Sequence, residues 1–216
     1  MTHNLTLDDR SRILAVYQLI AYSLLIATAG AFIGLHNLEF LTGATYFVLV
    51  AVEFALIFAL ILSKKILEST NLSMIMLFLF TFISGLTLAP TIARYLSSSS
   101  GVETLVTALL ATGVVVGSLS FFAAYTKKDF SVYRQVLFIA LIGVIVLALL
   151  NLFLSISWFG LLISYLVLIV FSFYMIMDTQ TLIKGEYKYP VVMALSIYLD
   201  ILNIFSSLLS ILGSRD

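Results

Sequence analysis

Apolar residues run along this chain in seven long stretches separated by short polar turns. A helix rising 1.5 Å per residue needs roughly 20 apolar residues to cross a hydrocarbon core of about 30 Å. The pattern predicts seven such helices, over 13–35, 41–63, 72–96, 102–126, 132–154, 158–182 and 190–212. No run is left over for a separate soluble domain. The expected architecture is therefore all-α: a polytopic membrane protein with seven transmembrane helices in a single domain over 1–216, preceded by a polar tail at 1–12.

Composition supports this reading. Of 216 residues, 62% are hydrophobic and 10% charged, against about half and a quarter in soluble domains, so lipid must be the solvent for most of the surface. Net charge is zero, which gives no basic surface for nucleic acid. With no cysteine there is neither a disulfide framework nor a thiolate metal site. The tail, MTHNLTLDDRSR, mixes acids and bases and reads as neither a secretion signal nor a transit peptide.

Basic residues set the expected orientation, since Lys and Arg are enriched in cytoplasmic loops. Nine of the eleven fall on one side: Arg10, Arg12, Lys64, Lys65, Lys127, Lys128, Arg134, Lys184 and Lys188. Arg94 and Arg215 fall on the other. The N-terminus is expected in the cytoplasm and the C-terminus outside, in a cell (plasma or inner) membrane. Trp158, at the outer edge of span 6, suits the headgroup level.

Polar residues inside the spans carry the candidate chemistry. Asp178 and Asp200 sit on the last two spans, and a carboxylate at mid-helix costs roughly 2.5–3.5 kcal/mol on insertion scales. Asp178 lies near a helix C-terminus, where the macrodipole disfavours an anion, so capping does not explain it. Their depths differ by about 6 Å across the turn at 184–190, a gap that tilt and side-chain reach can close. Two carboxylates in a low-dielectric site resist joint ionisation, so the pair would share a proton and titrate in two macroscopic steps. On span 7, Ser196, Asp200, Asn203, Ser207 and Ser210 step by four and three residues, forming one polar stripe that must face the bundle interior or water.

Three further features matter. Glu53 lies mid-span on span 2, and eleven residues are close to three turns, so Glu53, Ile57, Leu60 and Lys64 are expected to share one face. Span 3 sets Thr81, Ser84, Thr87, Thr91 and Arg94 at helical spacing, with Pro90 freeing a carbonyl. That face either lines a polar path or returns its hydroxyls to its own backbone. Gly30 and Gly34 on span 1 and the Gly113–Gly117 pair on span 4 are packing signals. Asp129, in the basic turn 125–131, reads as solvated or near a helix start.

The segments SGLTLAPT (84–91), YMIMDTQTLI (174–183) and ALSIYLDILNIFSSLLSILG (194–213) resemble motifs of the Bax inhibitor family, also called the transmembrane Bax inhibitor motif family, in a bacterial form. The resemblance implies a seventh helix surrounded by six, and a pH-dependent calcium leak rather than an enzyme. It implies that Asp178 and Asp200 are the family's di-aspartyl pH sensor, and that Glu53 is the intramembrane Glu beside the pore. It also implies that Lys64 stands where relatives have an Arg latch, although Lys lacks the bidentate fork of Arg. The expected ion path then includes Glu53, Asn203, Ser196, Ser207, Thr87 and Arg94. Glu53, Asp178 and Asp200 are the transient oxygen ligands for Ca²⁺, which is permeant rather than a resident cofactor.

Three other classes compete. A modulator of a membrane protease would use the tail at 1–12. An intramembrane aspartyl protease is disfavoured, because Met177-Asp178 and Ser196-Ile197-Tyr198-Leu199-Asp200 lack the Tyr-Asp and Gly-x-Gly-Asp patterns. A proton-coupled carrier is disfavoured because no inverted repeat is visible.

Overall fold

The fold is taken from a computed structural model that describes residues 7–154 and 156–214. Eight α-helices follow in order: α1 (Leu7–Leu35), α2 (Gly43–Leu62), α3 (Lys64–Glu68), α4 (Thr70–Leu96), α5 (Gly101–Tyr125), α6 (Arg134–Leu154), α7 (Ser157–Lys184) and α8 (Pro190–Gly213). Among the described residues, seven helices are long and apolar enough to cross a membrane, and the exception is the five-residue α3. Their bounds follow the seven apolar runs to within a few residues. The first half of the tail expected at 1–12 lies outside the described residues, and the second half, from Leu7, is the start of α1.

Local chemistry explains the breaks. Pro190 opens α8, where its missing N–H costs nothing and its fixed φ favours the helix. Gly185 closes α7 with φ +70°, a left-handed conformation that a side chain resists. The Glu186 N–H then returns to the Thr181 carbonyl and the Gly185 N–H to that of Leu182. Pro90 does not end α4, which continues to Leu96.

One expected continuity fails. Span 2 stops at Leu62 because Ser63 is extended, at φ −89° and ψ 99°, and Lys64 begins a separate helix. Ser69 is likewise extended and separates α3 from α4. The shared face of Glu53 and Lys64 required one unbroken helix, so that register argument does not hold.

The chain divides into two compact units: 1–97 with 187–198, and 98–186 with 199–216. The sequence reading treats these as one domain. In the first unit α4 is the common neighbour of α1, α2 and α3; in the second, α7 is the common neighbour of α5 and α6. Burial differs sharply among the spans. The α8 and α4 windows are 56% and 50% buried, against 11% for those of α2, α5 and α6, so the polar helices are the enclosed ones.

Glycine permits the closest approach in the first unit. A Cβ at Gly30 would overlap the Phe82 carbonyl, and one at Gly85 would overlap the Ala27 carbonyl, so α1 and α4 meet backbone to backbone. Gly34 faces Ala89 in the same seam. The Gly113–Gly117 pair on α5 behaves otherwise: a Cβ at either would have nothing within 4 Å, so this GxxxG packs against no described residue.

Candidate functional site

In the second unit, α7 presents Tyr174 and Asp178 four residues apart, hence on one face. Asp200 on α8 is 3% exposed, and its Oδ2 is buried without a hydrogen-bond partner among the described residues. Asp178, in the same unit, is partly buried. Among the described residues no hydrogen bond joins the two aspartates, and Asp200 Oδ2 lacks the partner that a buried polar atom ordinarily has.

The stripe on α8 is turned inward, for none of its members is exposed. Asp200 and Ser207 are buried, while Ser196, Asn203 and Ser210 are partly so. Ser210 accepts from Ser164 of α7 at 2.9 Å. Asn203 donates to its own Leu199 carbonyl at 2.8 Å, which leaves its amide oxygen as the group it can offer elsewhere.

The first unit holds a second polar network. Thr87 donates to Glu53 Oε1 at 2.6 Å, linking α4 to α2. Thr81 and Ser84 turn back to the carbonyls of Phe78 and Thr81, while the single Thr87 proton lies between Glu53 and the Ser84 carbonyl, the latter at 3.1 Å. The span-3 hydroxyls therefore satisfy their own backbone, as one of the two expectations for that face has it, yet two of them also bridge helices. Ser84 meets Tyr198 Oη of α8. Since the Ser84 proton goes to Thr81, the Tyr198 hydroxyl donates to Ser84 Oγ. Tyr198 is 0% exposed, with its ring edge-on to Phe80 at 5.9 Å. Between Thr87 and Ser84 the link runs through a carbonyl, so these hydroxyls do not form an unbroken proton wire.

Other expected site residues lie apart from these clusters. Lys64 and Arg94 are exposed, at the start of α3 and in the last turn of α4. Among the described residues, no group of three or more His, Asp or Glu is placed to hold a metal ion.

Sequence reasoning missed three residues that the structure singles out. Tyr198 sits between two members of the stripe, but its apolar ring hid it among core aromatics. Gln180 accepts from the Phe130 N–H at 3.0 Å and donates to the Lys128 carbonyl at 2.8 Å, pinning the 126–133 turn to α7. Beside it, Asp129 accepts from the Ser131 N–H at 3.0 Å and from Lys184 Nζ at 3.1 Å. The Ser131 N–H, with Lys184 adding to it, holds the exposed Asp129 carboxyl below the usual carboxylate range. The third is Arg134, the first residue of α6, one turn before the buried Leu137. The polar run Asp178-Thr179-Gln180-Thr181 was a visible hint of tertiary partners for α7. Nothing in the sequence marked Arg134 beyond its place in a basic loop.

Seven apolar spans, the enclosure of the polar ones and an acidic pair on the last two define an all-helical, multi-pass membrane protein. Residues 9–216 match the family described as "Inhibitor of apoptosis-promoting Bax1". The chain belongs to this Bax inhibitor family. It is 44% identical over 201 residues to an uncharacterized protein of Campylobacter jejuni, covering 92% of this chain and 86% of that one. It is 40% identical over 197 residues to an uncharacterized protein of Helicobacter pylori strain 26695, covering 91% and 84%. A Vibrio cholerae uncharacterized membrane protein is 39% identical over 153 residues, covering 71% and 68%.

Proposed function

We propose that this protein is a proton-sensitive calcium leak of the cell membrane, with its N-terminus in the cytoplasm, and not an enzyme. The observation that carries the reading is the enclosed Asp200, with one oxygen unpartnered and a second carboxyl, Asp178, in the same unit. A buried carboxylate without partners is costly, and a shared proton removes much of that cost. Proton uptake then changes the charge in the bundle, and with it the balance between a closed and an open arrangement.

In this reading Ca²⁺ passes oxygen ligands in succession rather than resting in a cage. Glu53 with Thr87 supplies one set; Ser196, Asn203 and Ser207 of α8, with the aspartates, supply another. Arg94, in the last turn of α4, is the proposed outer end of this path. Lys64 remains the proposed latch, acting from the start of the five-residue α3, between the extended Ser63 and Ser69, rather than from the face of α2.

Purified protein in liposomes loaded with a calcium indicator tests this. The wild type leaks in a pH-dependent way, and Asp178→Asn and Asp200→Asn lose that dependence. A pH response unchanged in both variants removes the proposal. No leak, with a membrane protease retained on pull-down, replaces it with the modulator reading.

A further inference from the structure

In the first unit, the opening turns of α1, α4 and α8 enclose a cleft of about 400 Å³. Small-molecule sites usually measure about 300–1,000 Å³, so the space suits a ligand. Ala15, Leu19 and Tyr22 line it from α1, and Thr70, Met74 and Phe78 from α4, at spacings that put each set on one helix face. Tyr189 and Pro190, at the start of α8, and Leu67 of α3 complete the wall. From Thr70 to Phe78 the cleft runs about 12 Å along α4. At its inner end Tyr22 and Phe78 meet edge to face, with ring centroids 6.4 Å apart. Polar groups lie nearer the helix starts, where Gln18, Thr70 and Ser73 join the lining.

The mouth is basic. Lys188 holds its ammonium 4.9 Å from the centroid of the Tyr189 ring, which is itself part of the wall. Arg12, one turn before Ala15, donates to the Tyr187 carbonyl at 2.7 Å and lies over the Tyr187 ring at 4.9 Å. The three stretches that frame the mouth, 7–15, 64–68 and 187–191, carry Arg10, Arg12, Lys64, Lys65 and Lys188 against Asp8, Asp9 and Glu68. Positive charge is in excess there.

We propose that this cleft takes one acyl chain of an anionic phospholipid, whose phosphate is held at the mouth by Lys188 and Arg12. The chain belongs inside because apolar walls at the end of three membrane spans favour hydrocarbon over water. The phosphate belongs at the mouth because both cations are already oriented there, one by a ring face and the other by a carbonyl. Arg12 uses one N–H on Tyr187, and its fork has further donors for phosphate oxygens. The choline of a zwitterionic lipid meets the same cations and is repelled, so the site selects a lipid of net negative charge. This assignment goes beyond the leak reading and does not rest on it.

Native mass spectrometry of the purified full-length chain, titrated with phosphatidylglycerol, phosphatidylcholine and oleate, tests it. Phosphatidylglycerol is retained in preference to the other two. Lys188→Gln weakens it about fivefold, the loss expected for one cation at a membrane surface, and leaves phosphatidylcholine unchanged. Ala15→Phe fills the cleft and weakens phosphatidylglycerol as well, while Lys127→Gln, which removes an exposed cation of the other unit, leaves it at the wild-type affinity. Lys188 is exposed, so its variant keeps the test sharp even if Ala15→Phe fails to fold. Phosphatidylglycerol affinity unmoved in Lys188→Gln, or weakened equally in Lys127→Gln, overturns the inference. A preference for oleate also overturns it and gives the cleft to a free fatty acid.

Discussion

Replacing Tyr198 by Phe removes one oxygen from a site with no exposed surface and leaves the ring where it is, edge-on to Phe80. The oxygen lost is the donor to Ser84 Oγ, and Ser84 still gives its own proton to the Thr81 carbonyl. The variant therefore loses one buried hydrogen bond and strands no donor. Its expected cost is about 1 kcal/mol. Ser84→Ala is the harsher change, because it leaves the Tyr198 hydroxyl buried without an acceptor, at about 1–3 kcal/mol. Removing both groups takes away donor and acceptor together. The double variant is then less destabilised than the two singles added, with a coupling of about 1 kcal/mol. Equilibrium unfolding in mixed micelles measures the cycle. Strict additivity would refute the assignment of Tyr198 as a partner of Ser84, and with it the polar connection between α4 and α8 in the first unit.

Two predictions concern the 126–133 turn. Gln180→Leu deletes both of its hydrogen bonds to the turn, so amide exchange at Phe130 and its neighbours accelerates several-fold while the spans stay protected; unchanged exchange there would show that Gln180 does not hold the turn. The second is pH-dependent: because the folded Asp129 carboxyl is held below its ordinary value of about 3.9, its stabilisation of the turn is present above that value and is lost as pH falls through the lower, folded one. Amide exchange at Ser131, corrected for the intrinsic effect of pH, should rise only in that acid window and lose the step in Asp129→Asn.

The seven spans were legible because lipid leaves little choice: each must be long, apolar and helical to satisfy its backbone. The stripe on α8 was legible for the same reason, since polar groups spaced by three and four residues can only turn inward. What failed were inferences about continuity and partners. Between Ala44 and Lys64 span 2 contains no proline or glycine, so nothing announced the extended Ser63 that separates Lys64 from the Glu53 face. The Gly113–Gly117 pair has the spacing of a helix contact, yet spacing says what could pack and not what does. Gly30 has the same small side chain and does sit in a seam, because Gly85 on α4 reciprocates. Arg134 and Gln180 were hidden for a related reason. Their roles depend on which helix lies beside α7, which a hydropathy pattern does not encode.

The account turns on a proton shared between Asp178 and Asp200. An infrared titration of the wild type against Asp200→Asn tests that most directly. Coupling predicts two separated carboxyl steps in the wild type and a single, displaced step when Asp200 is replaced. Two wild-type carboxyls that titrate together at ordinary values, with Asp178 indifferent to the loss of Asp200, would contradict it.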